Sequence, residues 1–282
     1  MSEIRTVRKI VTGNATQDGA GVKLVRVIGK PDTTDFDPFL MLDAFDSTDP
    51  EDYVKGFPWH PHRGIETITY LIEGDIEHGD SLGNKGSILD GECQWMTAGS
   101  GIIHQEMPQA APRMLGAQLW LNLPAAHKMS EPKYNGITKA DIPVVEEAEG
   151  TVRVIGGNYN GMYGAMAGDH VKPLLLDVDI RSGGSWRLAV PANDTLFLYI
   201  FSGEGAFDER EKDFIAARQA VLFNPGSELK VKASPAGIRF LLMSAPPLKE
   251  PIAWGGPIVM NTKEELNLAF RELQEKTFIK HQ

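Results

Sequence analysis

The chain reads as an all-β protein: two small, jelly-roll-like β-barrels in tandem, followed by a C-terminal helix. Three observations predict this. Short alternating or β-branched segments recur along most of the chain. Its 29 Gly and 18 Pro supply the many reversals that short strands need. Parts of the first half recur in the second at a shared offset, the mark of a duplicated unit.

Residues 65–72 (IETITYLI) alternate, are rich in β-branched side chains and stop at Glu73-Gly74-Asp75. In 116–123 (GAQLWLNL), Ala117, Leu119, Leu121 and Leu123 share one face. Gln118, Trp120 and Asn122 share the other, which is strand periodicity. The less apolar stretch 124–149, with Pro124, Pro132, Gly136, Pro143 and an acidic run at 146–149, reads as a connection. Strands follow at 173–180, 186–190, 195–201, 219–223, 228–232 and 238–243. Thr195–Gly203 (TLFLYIFSG) matches Thr67–Gly74 (TITYLIEG), and Val221–Gly226 (VLFNPG) matches Gln94–Gly99 (QWMTAG), both roughly 127–129 residues apart. Thr262 and Glu265 have capping-box spacing, and Leu266, Ala269, Phe270 and Leu273 fall on one face of the helix that follows. The extended arm before it, PIAWGGPIVMN (251–261), is expected to cross back over the first barrel; a helix on the surface of the second is the alternative. The expected domains are a first barrel at 1–130, a linker at 131–148, a second barrel at 149–250, and the arm and helix at 251–282.

Composition narrows the function. With 42% hydrophobic and 23% charged residues, each barrel can bury a core. A formal charge of −10 and the lack of any Lys/Arg run of five argue against direct nucleic-acid binding. No apolar run approaches 18 residues, so no membrane span is expected, and the N-terminal MSEIRTVRKIVTG lacks a signal-peptide core. The single Cys93 precludes an intrachain disulfide or a thiolate metal cluster. It fits a reducing compartment: the cytoplasm, or the nucleus in a eukaryotic host.

The chemistry concentrates between residues 56 and 106. His60-Pro61-His62 enters a β-segment, where residues two apart point to one face and both imidazoles can reach one ion. Pro61 fits an edge strand, where no ladder donor is needed. His104 and Glu106, after TAGSGII (97–103), share the same spacing. Three neutral imidazoles and a carboxylate suit Fe, Mn, Co, Ni, Cu or Zn better than Ca or Mg. Four protein ligands would leave a six-coordinate ion two positions for water, O2 or a chelating substrate. Glu66, four residues past His62 and of the same strand parity, competes with Glu106, and spacing does not separate them. The patterns Gly56-x3-His60-x-His62-x3-Glu66-x7-Gly74 and Gly91-x7-Gly99-x4-His104 are close to the two motifs of a cupin barrel.

The segments FDPFLMLDAFD (36–46), FPWHPHRGIETITYLIEGDIEHGDSLGN (57–84), QWMTAGSGIIHQEMP (94–108), QLWLNLP (118–124) and GPIVMNTKEEL (256–266) resemble the pirin family. The resemblance spans about residues 5 to 278 and is weakest in the second barrel. It implies a bicupin whose N-terminal barrel holds Fe(II) through three His and one Glu, here His60, His62, His104 and Glu106. It also favours Glu106 over Glu66, which then falls behind the ligands or in a salt bridge with Arg63. Gln118 is implied near the pocket.

In the second barrel the internal offsets align His60 and His62 with Leu188–Pro191, and His104 and Glu106 with the neighbourhood of Val231 and Ala233. That barrel is expected to have lost its ligands. His78 and His127 lack a paired ligand and read as surface histidines, Cys93 as a buried inert thiol, and Trp59, Trp95 and Trp120 as core or pocket wall. Two functions follow from the resemblance. One is a quercetin 2,3-dioxygenase, cleaving a metal-chelated flavonol with O2 and using Glu106 as general base. The other is a non-catalytic, iron-dependent redox regulator that binds a transcription factor or a metabolic enzyme.

Overall fold

The computed structural model describes residues 3–207 and 213–281. Contacts divide the chain into two units. One comprises residues 14–33, 39–139 and 248–282; the other comprises 1–13, 34–38 and 140–247.

The alternation at 65–72 becomes the strand Ile65–Glu73, inside a seven-stranded antiparallel sheet. Its order is Lys133–Ile137, Cys93–Thr97, Ile65–Glu73, Met114–Asn122, Phe39–Ser47, Val22–Ile28 and Asn14–Asp18. The smaller sheet of the same barrel runs Phe57–His62, Ile102–Pro108, Ile76–Asp80 and Lys85–Ile88. Inside this barrel the pleat places three layers. Leu71, Met114 and Phe45 join one apolar cluster; Ile65, Trp120 and Met41 join another. Between them, pairing register aligns Gln94, Thr69, Gln118, Asp43 and Arg26 in one row across five strands. A buried polar group left unpaired costs about 1–3 kcal/mol, so such a row persists only where its members find partners. Arg26 accordingly grips Asp43 with two bonds, Nε to Oδ1 at 2.9 Å and Nη2 to Oδ2 at 2.7 Å.

Among the described residues, no such polar row crosses the interior of the second barrel. Its main sheet runs Val7–Val11, Ala220–Phe223, Thr195–Ala206, Glu228–Ala245, Leu174–Ile180, Gly150–Gly156 and Val144–Glu147. The interior is one continuous apolar cluster that includes Leu188, Val190, Val231 and Ala233, the positions aligned with the first barrel's ligands. The strands expected at 228–232 and 238–243 are one, Glu228–Ala245. Ser-Pro-Ala-Gly at 234–237 bulges out of that strand: Ala233 and Ile238 pair with Gly205 and Gly203, and Gly237 turns with φ +76.

Segment membership departs from the expected boundaries at three places. Val7–Val11 pairs with Ala220–Phe223, in the second barrel. The expected linker contains Lys133–Ile137, paired with Cys93–Thr97, and Val144–Glu147, paired with Gly150–Gly156. Each covers a sheet edge, where unpaired backbone groups would otherwise stand open. The arm returns to the first barrel's unit as the hairpin Ala253–Gly255 and Ile258–Met260, then the helix Lys263–Gln274. Thr262 and Glu265 form the expected reciprocal capping box. No helix among the described residues is long and apolar enough to cross a membrane.

Candidate metal centre

The strand Phe57–His62 is the edge of the smaller sheet, so Pro61 costs the ladder no donor. It pairs antiparallel with Ile102–Pro108, His104 standing opposite His60 and Ile102 opposite His62. The HxH unit and His104 thus meet at one point. The three histidines offer ring nitrogens all within 4.8 Å of one another.

The hydrogen bonds fix which nitrogens face inward. A carbonyl oxygen only accepts, so His60 Nδ1, 2.9 Å from Pro58 O, and His62 Nδ1, 3.0 Å from Pro257 O, both carry the proton. The two Nε2 atoms then confront each other at 3.1 Å with lone pairs and no proton between them. Two such acceptors repel unless a cation lies between them. His104 adds a second anomaly: it is 1% exposed, and neither ring nitrogen has a hydrogen-bond partner among the described residues. Burial also keeps the His62 and His104 rings neutral. It pushes the His62 pKa from 6.5 down to about 3, helped by His60, and holds His104 well below its ordinary range. Three converging imidazole nitrogens fit a borderline divalent ion such as Fe, Ni, Co or Zn.

The same burial predicts a pH dependence. Between pH 6.5 and about 3 the unfolded chain binds a proton at His62 that the folded chain refuses. Stability therefore rises with pH across that window and falls on acidification, His62 contributing up to about 1.4 kcal/mol per pH unit. Denaturant melts of metal-free protein should show this slope, and His62→Gln should flatten it by one proton.

Glu106 stands apart from the imidazole cluster. A register shift between His104 and Glu106 sets it opposite Phe57, and bulges of this kind re-aim side chains. Its carboxylate meets the facing sheet: Gln118 Nε2 donates to both oxygens at 2.8 and 2.9 Å, and Thr69 Oγ1 donates to Oε1 at 3.2 Å. Burial raises its pKa above the usual carboxylate value, and His60, Gln118 and Thr69 oppose that rise. Gln118 thus contacts the Glu106 carboxylate directly. Glu66 turns to another group, accepting from Trp95 Nε1 at 3.2 Å and Thr97 Oγ1 at 2.7 Å. Arg63 makes its ion pair with Glu272 at 2.6 Å, not the expected one with Glu66.

Other expectations divide. Cys93 and Trp95 are buried, and His127 is exposed. Trp120 is buried edge-on to His62, ring centres 5.0 Å apart, with Trp254 on it at 5.7 Å. Trp59, expected as core or pocket wall, is 54% exposed on the edge strand. His78, expected at the surface, is buried and stacked on Tyr134 at 4.5 Å, its Nε2 hydrogen-bonded to the Tyr134 hydroxyl. It pairs opposite Glu106. The alternation Ile76, His78, Asp80 was the available sign of an inward-facing histidine.

A two-barrel cupin with a histidine-lined centre in the first barrel and an apolar second barrel is the class that this fold and site define. The chain belongs to the pirin family: the Pirin model matches residues 21–121 and the Pirin C-terminal cupin domain model matches 175–279. A pirin-like protein of Caulobacter vibrioides is 43% identical over 278 residues, covering 98% of this chain and 99% of its own. A Pseudomonas aeruginosa protein with the provisional name of a quercetin 2,3-dioxygenase is 42% identical over 281 residues, covering 98% of both chains. The crystal structure of quercetin 2,3-dioxygenase from Acinetobacter baumannii superposes with a TM-score of 0.88 at 30% identity, covering 98% of each chain.

Proposed function

We propose that this pirin is a mononuclear, Fe(II)-dependent flavonol dioxygenase of the quercetin 2,3-dioxygenase type, with His60, His62, His104 and Glu106 as the metal's protein ligands. The observation that carries the reading is the pair of unprotonated Nε2 atoms of His60 and His62, 3.1 Å apart, with the buried Glu106 carboxylate within electrostatic reach of His60. The names of the Pseudomonas and Acinetobacter relatives support the substrate class. When bound, the metal supplies Lewis acidity and an electron path between a flavonol and O2.

The protein's own contributions follow from the geometry. Glu106 takes the proton of the flavonol 3-hydroxyl; its raised pKa makes it a stronger base than an exposed carboxylate. Gln118 and Thr69 hold that carboxylate in one orientation and lower the cost of its charge. Trp120, against His62, offers apolar surface to a planar ring. The test is flavonol absorbance followed with anaerobically purified, iron-loaded protein. Loss that requires both metal and O2 is the expected result. Stoichiometric metal without turnover would overturn the dioxygenase and leave the centre to an iron-dependent regulator.

A further inference from the structure

The outer nitrogen of His62 is satisfied from far along the chain. Its Nδ1 donates to the carbonyl of Pro257, 195 residues away and in the tail. Further contacts hold the tail against the end of the HxH strand. Val259 N donates to Arg63 O at 3.1 Å, and Lys128 Nζ, itself buried, donates to both Gly64 O at 2.7 Å and Val259 O at 2.9 Å. Arg63, 2% exposed and next to His62, donates Nε to Ser100 O at 2.6 Å and turns the rest of its guanidinium to the tail. Nη1 reaches Glu272 at 2.6 Å, Nη2 reaches Phe278 O at 2.8 Å, and the group lies 4.2 Å from the Phe278 ring centre. Two glycines mark the track. A Cβ at Gly64 (φ +78) would stand 2.0 Å from Val259 O, and one at Gly101 (φ +137) 2.9 Å from the Phe278 ring.

We propose that the C-terminal tail is a positioning element of the metal centre: docked through Arg63, Lys128 and Phe278, it presents Pro257 O to His62 Nδ1 and so fixes Nε2 as the nitrogen facing the metal. The inference rests on the proposed metal reading and deepens it. Without the tail, His62 loses the partner that sets its tautomer and ring angle, and an imidazole free to choose either tautomer is a poorer ligand. Outer partners of metal-bound histidines are worth about 10–100-fold in affinity. The inward ring of Trp120, covered by Trp254 of the same tail, adds a second restraint on His62.

The experiment compares the full chain, a chain ending at Glu275 that keeps the helix, Phe278→Ala, Glu272→Gln, and Leu242→Ala in the second barrel's core as a control for general destabilisation. Co(II) affinity is measured by chelator competition, with the Co(II) visible spectrum as a signature of geometry. In metal-free protein, long-range proton–nitrogen NMR reads the His62 tautomer. The tail variants are expected to bind Co(II) about 10-fold or more weakly, with an altered spectrum and a mixed His62 tautomer; Leu242→Ala should match the full chain in all three. If the shortened chain does not fold, Phe278→Ala and Glu272→Gln carry the test. Unchanged affinity and a retained Nδ1–H in the tail variants, or an equal loss in Leu242→Ala, would overturn the proposal. A full chain that binds no Co(II) would sink the metal reading instead, while the tautomer in metal-free protein would still decide the tail's role.

Discussion

His104→Ala should empty the centre of metal while leaving the barrel folded. The ring's two nitrogens are buried without hydrogen-bond partners among the described residues, so its removal breaks no side-chain hydrogen bond there. Deleting a buried ring leaves a cavity, a cost typically of about 2–5 kcal/mol for large-to-small changes. Against this stands the relief of two unpaired polar atoms, worth about 1–3 kcal/mol each. The metal-free variant should therefore melt within about 2 kcal/mol of the parent. Its metal affinity, by contrast, loses one of three converging imidazoles and should fall well beyond the roughly 10–100-fold that an outer partner is worth. Metal content after dialysis and a thermal melt measure the two effects separately. A variant that keeps full metal would show that His104 is not a ligand.

Glu106→Gln separates chemistry from metal retention. The amide has the shape of the carboxylate and still accepts from Gln118 or Thr69, but it takes no proton. Turnover of a flavonol should fall by about 10²–10⁴-fold, the usual contribution of a positioned general base. Three converging imidazoles remain as ligands after this change, so much of the metal should remain. Paired assays of turnover and bound metal on one preparation would check this. Full turnover in Glu106→Gln would remove Glu106 from the chemistry; metal lost as completely as in His104→Ala would make it chiefly a ligand.

The sequence was most informative where chemistry and periodicity coincide. His60-x-His62 and His104-x-Glu106 lie on strands that pair antiparallel, and a period of two is enough to bring the first three side chains to one face of that pair. The apolar filling of the second barrel was legible for the same reason, because Leu188, Val190, Val231 and Ala233 stand where ligands would be required. The fourth member was harder. Parity treats Glu66 and Glu106 alike, and what distinguishes them is which side chains each meets: Trp95 and Thr97 for one, Gln118 and Thr69 for the other.

Long-range exchange was the least legible feature. Val7–Val11 carries too short a pattern to announce that its partner is Ala220–Phe223, more than 200 residues on. Lys133–Ile137 reads as a linker because an edge strand needs little apolar character. Arg63 looked like a neighbour for Glu66, since nothing local signals that a tail glutamate and Phe278 will reach it. Pro257 contributes through its backbone carbonyl, an atom every residue has, so no residue type could have marked it. His78 lacks a ligand partner in sequence, which favours the surface, yet its alternation with Ile76 and Asp80 on the strand points inward.

The most direct test of the central claim is X-ray absorption at the metal edge of protein loaded with one equivalent of Fe(II) or Zn(II). Three imidazoles in the first coordination shell, dropping to two in His104→Ala, is the result this account predicts. A shell with fewer than three imidazoles in the parent protein, or one unchanged by that substitution, would contradict it.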